Sequence, residues 1–174
     1  MNARLTLVCA AALALAACAS TPSASGPAAV AKLESTRGNS TTGTLRFVQA
    51  GDVVLVSGEV RGLKPGAEHG FHIHEKGDCS SGDGMSAGGH FNPGGQQHGH
   101  FGHGAHHSGD LPSLRADANG VAVVKFESRT FSVGSGAADI VGRGLIVHRD
   151  PDDYTTQPTG NSGPRLACAV ITRG

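Results

Sequence analysis

Apolar and polar residues alternate in short runs along most of the chain from Leu33 onward. Residues 44–48 (TLRFV) alternate, residues 52–60 (DVVLVSGEV) are β-branched, and residues 71–74 (FHIH) alternate again. A period of two predicts strands, because successive side chains point to opposite faces. On that reading Phe71 and Ile73 share one face, and His72 and His74 the other. Strand signals return at 121–126, at Ile140-Val141, at 145–147 and at 167–171, and Gly51-Asp52 and Pro65-Gly66 supply turns. No stretch carries the period of an amphipathic helix. The pattern lapses over residues 75–110, dense in Gly, Ser and His, and again over 149–165. Irregular stretches of that length inside a compact domain are functional or disordered. Short strands, turn clusters and long loops predict an all-β fold, an antiparallel β-sandwich or barrel.

The first residues break from this pattern. A positive start (Met1-Asn2-Ala3-Arg4) precedes an apolar run over 5–15, and small residues lead into Cys18. So short an apolar run reads as a cleaved export signal rather than a membrane span. The Leu15-Ala16-Ala17-Cys18 segment resembles a bacterial lipoprotein signal, which predicts residues 1–17 as signal peptide and Cys18 as a lipidated N-terminus. Residues 18–32, small, polar and proline-containing, read as a tether, leaving 33–174 as the folded domain. Several acyl chains would anchor such a domain stably. With Cys9 lost and Cys18 acylated, Cys79 and Cys168 remain. Export to an oxidising compartment favours their pairing over two free thiols. A disulfide closing so long a loop is worth about 4–5 kcal/mol in the chain-entropy account.

Composition narrows the function. Lys+Arg and Asp+Glu are 14 each, which argues against a nucleic-acid surface. Gly 27 with 4% aromatic residues points to tight turns and close backbone approaches rather than long helices. The candidate chemistry lies in the histidines. His72 and His74 on one strand face, His90 in a Gly-flanked loop and His148 at the end of a β-branched run offer four nitrogens, which suit Cu(II). His90, His98, His107 and Asp110 offer nitrogens and one carboxylate, which suit tetrahedral Zn(II). Composition alone does not choose between the adjacent His106 and His107. His90 belongs to both sets, and an imidazole with both nitrogens free of protons can touch two metals.

The segments GFHIHEKGD, AGGHFNP, HHSGDLP, GRGLIVHRDPDD and GNSGPRLACAVI together resemble copper/zinc superoxide dismutase of the bacterial periplasmic type, over roughly residues 33–174. The resemblance implies a Greek-key, immunoglobulin-like β-sandwich or barrel with long metal-binding loops. It also implies one copper and one zinc ion per subunit, with superoxide anion as substrate. It makes His72, His74, His90 and His148 the copper ligands and His90, His98, His107 and Asp110 the zinc ligands, and so selects His107. It makes Asp152 the carboxylate joining a copper histidine to a zinc histidine, Cys79–Cys168 the disulfide, and Arg165 the active-site arginine that attracts the anion. His90 is then the catalytic bridge that takes and returns a proton as copper cycles. His69 matches a position that hydrogen-bonds backbone. His100, His103 and His106 match no ligand position; they read as a solvated loop, with a metal-collecting tract as the alternative. Location in the bacterial periplasm, a lipid-only membrane attachment, no nucleic-acid partner and either a monomer or a homodimer complete the expectation. The competing reading is a non-enzymatic periplasmic protein that stores or delivers copper and zinc; it leaves Arg165 and Asp152 without a role.

Overall fold

A computed structural model describes residues 26–174. The expectations for residues 1–25, including the signal peptide and Cys18, lie outside the described residues. Nine strands follow in chain order: β1 (Ala28–Ser35), β2 (Thr42–Ala50), β3 (Val53–Arg61), β4 (Glu68–His69), β5 (Phe71–His74), β6 (Leu114–Arg115), β7 (Ala122–Ser128), β8 (Gly144–His148) and β9 (Arg165–Arg173). Seven form one sheet in the order β5-β8-β9-β1-β2-β3-β7, and β4 pairs with β6. Every pairing between these strands is antiparallel. The last strand returns beside the first, and the connections from β3 to β5 and from β7 to β8 cross from one end of the sheet to the other. The sheet curls around one core to which strands from end to end contribute, among them Ala31, Leu45, Phe47, Val56, Phe71, Ile73, Val124, Leu145 and Ile171. The all-β antiparallel fold expected from the sequence is the fold observed.

Two boundaries differ from the sequence reading. Residues 28–32 are not tether: they form the first part of β1, paired with β2 on one side and β9 on the other. Ala29 and Ala31 point into the core, and alanine is too weakly apolar to announce a strand within a small-residue run. Ile140-Val141 is not a strand either. Ile140 is fully buried, but the chain turns at once through Gly142, at φ 81°, whose N–H donates to Ile171 O.

β5 and β8 set up the site. Phe71 and Ile73 enter the core while His72 and His74 face the other way, yet all four are buried, because the long loops cover that outer face. β8 is buried along its whole length, as expected of a strand covered on both faces. Its outward Ile146 packs on Ala87, Cys168 and Cys79. The Cys79–Cys168 disulfide is formed and ties the start of the 75–110 loop to β9. Among the described residues the only helical element is a single 3-10 turn, Met85–Ala87.

Candidate metal centre

The free edge of β5 is completed by the loop rather than by a strand. His74 forms an isolated bridge with His90, and His72 with Asp110. Phe91 N–H donates to Ile73 O, Ile73 N–H donates to Gly109 O, and Gly109 N–H donates to Phe91 O. These bonds register His90 and Asp110 against the strand that carries His72 and His74. Glycine is required at 109, where a Cβ would overlap Ile73 O. His148 arrives at the end of β8, where the register shifts; such irregularities re-aim a side chain.

Two groups of donors result: His72, His74, His90 and His148, and His90, His98, His107 and Asp110. All seven residues are buried, and the donor atoms within each group lie within 4.8 Å of one another. The structure thus brings together every residue of the two sets inferred from sequence, and it chooses His107 over His106. His106 instead donates from Nδ1 to His107 O. His69 donates from Nδ1 to His148 O at 2.9 Å, the backbone role expected of it.

Hydrogen bonds fix which nitrogen each ring presents. His74 Nδ1 donates to Gly88 O at 2.9 Å and His148 Nδ1 to Gly163 O at 3.2 Å, so each turns an unprotonated Nε2 toward the other, 3.4 Å apart. His72 Nε2 donates to Asp152 Oδ2 at 2.7 Å, and His90 Nδ1 to Asp110 Oδ1 at 2.8 Å. The remaining nitrogens, His72 Nδ1 and His90 Nε2, are buried with no partner. Four imidazole lone pairs therefore converge in a dry pocket. Burial holds all four rings neutral: it lowers His72, lowers His74 and His148 strongly, and brings His90 to about 4. Unpaired buried lone pairs are costly unless a cation takes them, so this donor set fits a nitrogen-coordinated metal.

The second group is organised by Asp110. Its Oδ2 accepts from the N–H groups of Gly99 and His107 at 3.1 and 2.9 Å. Its Oδ1 faces His90, His98 and His107 at 2.8, 3.0 and 3.3 Å. Burial works against the carboxylate, but the three imidazoles outweigh it and hold Asp110 far below the usual range. Asp152 accepts from His72 through Oδ2 and from His98 Nε2 through Oδ1 at 2.9 Å, one ring from each group. Burial disfavours the charged form of His98, yet its hydrogen bonds to Asp110 and Asp152 prevail and raise it to about 9.

A pH dependence follows from His98. Its folded pKa exceeds the ordinary 6.5, so its contribution to the metal-free fold is complete below about pH 6.5 and fades as pH rises through about 9. A divalent ion taken up by this second group would have to displace that proton. Binding to metal-free protein at pH 7.5 is expected to release about one proton more than binding at pH 10. Calorimetry in buffers of different ionisation enthalpy reads the difference; equal release at both pH values would contradict it.

Sequence reasoning missed several contributors. Gln157 clamps the two irregular stretches, accepting from His98 N–H and donating to His98 O, both at 2.9 Å. Gly160, at φ 67°, lets the backbone pass where a Cβ would overlap Asp152 Oδ1 and stand 2.5 Å from His98 Nε2. Gly88 O serves two masters: besides His74, it accepts from Arg165 Nη2 at 2.7 Å. Arg165 Nη1 donates to Gly84 O at 2.6 Å, so a half-buried guanidinium sits beside the first group.

An antiparallel β-barrel carrying two adjoining buried donor groups with one histidine in common defines a class, the two-metal β-barrel proteins. The sequence profile described as copper/zinc superoxide dismutase (SODC) matches residues 41–171. The superoxide dismutase [Cu-Zn] of Paramecium bursaria Chlorella virus 1 is 42% identical over 135 residues, 74% of this chain and 71% of that protein. Among solved structures, the crystal structure of the clock protein EA4 superposes with a TM-score of 0.76 at 39% identity, over 83% of this chain and 93% of that one. The chain belongs to the copper/zinc superoxide dismutase family. It is a superoxide dismutase whose cofactors are one copper and one zinc ion.

Proposed function

We propose that the two ions share His90, with copper on His72, His74, His90 and His148 and zinc on His90, His98, His107 and Asp110. The observation that carries this reading is the membership of His90 in both donor groups, with Nδ1 directed at Asp110 and Nε2 left free among the copper-type nitrogens. Copper held there would supply the one-electron exchange that turns two superoxide anions and two protons into dioxygen and hydrogen peroxide, while zinc, which has no redox chemistry, would be held by His98, His107, Asp110 and the Nδ1 side of His90. His90 Nε2 would accept one proton and pass it to the departing peroxide, whose second proton comes from solvent. A cation held on the Nδ1 side of the ring would make the Nε2 proton easier to release, because a bound metal lowers the proton affinity of the group it touches. Asp152 holds His72 and His98 at fixed angles, so the two groups keep their spacing as the proton moves. Arg165, pinned by two carbonyls, draws the anion in and orients it.

The test is superoxide consumption by the metal-loaded protein. Arg165→Glu is expected to slow turnover at low salt and to reverse its salt dependence, because added ions screen attraction in the parent and repulsion in the variant. Unchanged rate and salt response would remove the arginine from the mechanism.

The N-terminal pattern supports export to the bacterial periplasm with lipidation at Cys18. Cys18→Ser is expected to move the protein from membrane to soluble fractions on cell fractionation. Retention in the membrane fraction would rule out the lipid anchor.

A further inference from the structure

Within the described residues three pairs of histidine ring nitrogens approach within hydrogen-bond distance. Two belong to the buried centre: His74–His148 at 3.4 Å and His90–His107 at 3.3 Å. The third does not. His100 Nδ1 and His103 Nδ1 face each other at 2.9 Å, on the exposed rim of the 75–110 loop.

The Phe101 carbonyl completes this group. Its oxygen lies 2.7 Å from His100 Nδ1 and 3.3 Å from His103 Nδ1. The loop holds the three donors together. His103 N–H donates to His100 O, and Gly102 between them takes φ 77°, a conformation that other residues enter only with strain. The His100 ring rests on Tyr154, centroid to centroid 4.3 Å, and the Tyr154 hydroxyl is fixed by Ser113.

Each neutral imidazole carries one ring proton, so the two rings can satisfy at most two of the three lines joining these atoms. A cation at their common focus satisfies all of them. The spacing fits. Two nitrogens about 2.0–2.1 Å from one ion stand roughly 2.9 Å apart at a right angle and roughly 3.3 Å apart at the tetrahedral angle. We propose that His100, His103 and the Phe101 carbonyl form a third, solvent-facing site for a divalent transition-metal ion, separate from the buried centre. Two imidazoles and one oxygen leave coordination positions to water, so the ion is exchangeable. Copper(II) is the strongest binder among such ions at nitrogen sites. The site is independent of how His90 is shared.

The experiment starts from holoenzyme with both buried positions filled, titrated with copper(II) chloride and followed by EPR and calorimetry. The parent protein is expected to take up about one further equivalent, with a second EPR signal showing nitrogen coupling. In the His100→Gln/His103→Gln double variant that uptake should weaken at least about tenfold. Buried metal content and superoxide turnover should stay as in the parent, because neither side chain belongs to the buried groups. Equal uptake by parent and variant would place the extra copper elsewhere on the surface and overturn the proposal. So would an absence of uptake beyond the buried ions in the parent.

Discussion

Replacing His90 by alanine is expected to weaken both metal sites at once and to lower superoxide turnover by more than about 100-fold, beyond the usual cost of losing a residue that merely orients a ligand. No other single ligand change should have that reach. His148→Ala removes a donor from one group and leaves the other complete, and Asp110→Asn does the converse. Metal content by mass spectrometry, measured beside the superoxide assay, separates the three variants. A His90→Ala protein that retained zinc at parental affinity would end the shared-ring proposal. The fold itself should survive, since the main core is built from apolar strand residues; the stacked His72 ring, 3.9 Å away, would be the neighbour most loosened.

Gly160→Ala is the second large effect, on stability and metal affinity together. A left-handed backbone costs a residue with a Cβ about 1–3 kcal/mol, and forcing an extra methyl into a filled site costs about 1–3 kcal/mol more. The methyl would press on the Asp152 carboxylate and the His98 ring, the bond that joins the two donor groups. Gly142→Ala is the matched control. Gly142 has φ 81° with open space beyond its Cα, so it should show the backbone cost alone. Denaturant unfolding of the metal-free proteins and zinc titration measure both quantities. Equal losses in the two variants would show that the crowding at Asp152 is immaterial.

Much of this centre is legible in the sequence, for a physical reason. A period of two put His72 and His74 on one face of β5. The family's motif order then selected His98, His107 and Asp110 from a loop without periodicity, where composition alone left His106 and His107 level. β1 was half hidden because the inward residues of its first half, Ala29 and Ala31, are alanines, and Ile140 misled because a buried anchor in a turn has the same side chain as a strand residue. Gly160, Gly88 and Gln157 were beyond reach for a different reason. Their contributions lie in where a backbone passes, and close approaches between segments distant in sequence leave no local pattern.

In the proposed mechanism one peptide group joins substrate capture to ligand geometry. The oxygen of Gly88 accepts from both the His74 ring and the Arg165 guanidinium, so tilting that carbonyl would misalign the proposed electrostatic guide and the proposed copper-side ring in the same movement. Attraction and turnover are thereby geared to each other. Substitutions in the surrounding 84–89 turn that slow the reaction should degrade both in proportion, with no trade of one for the other.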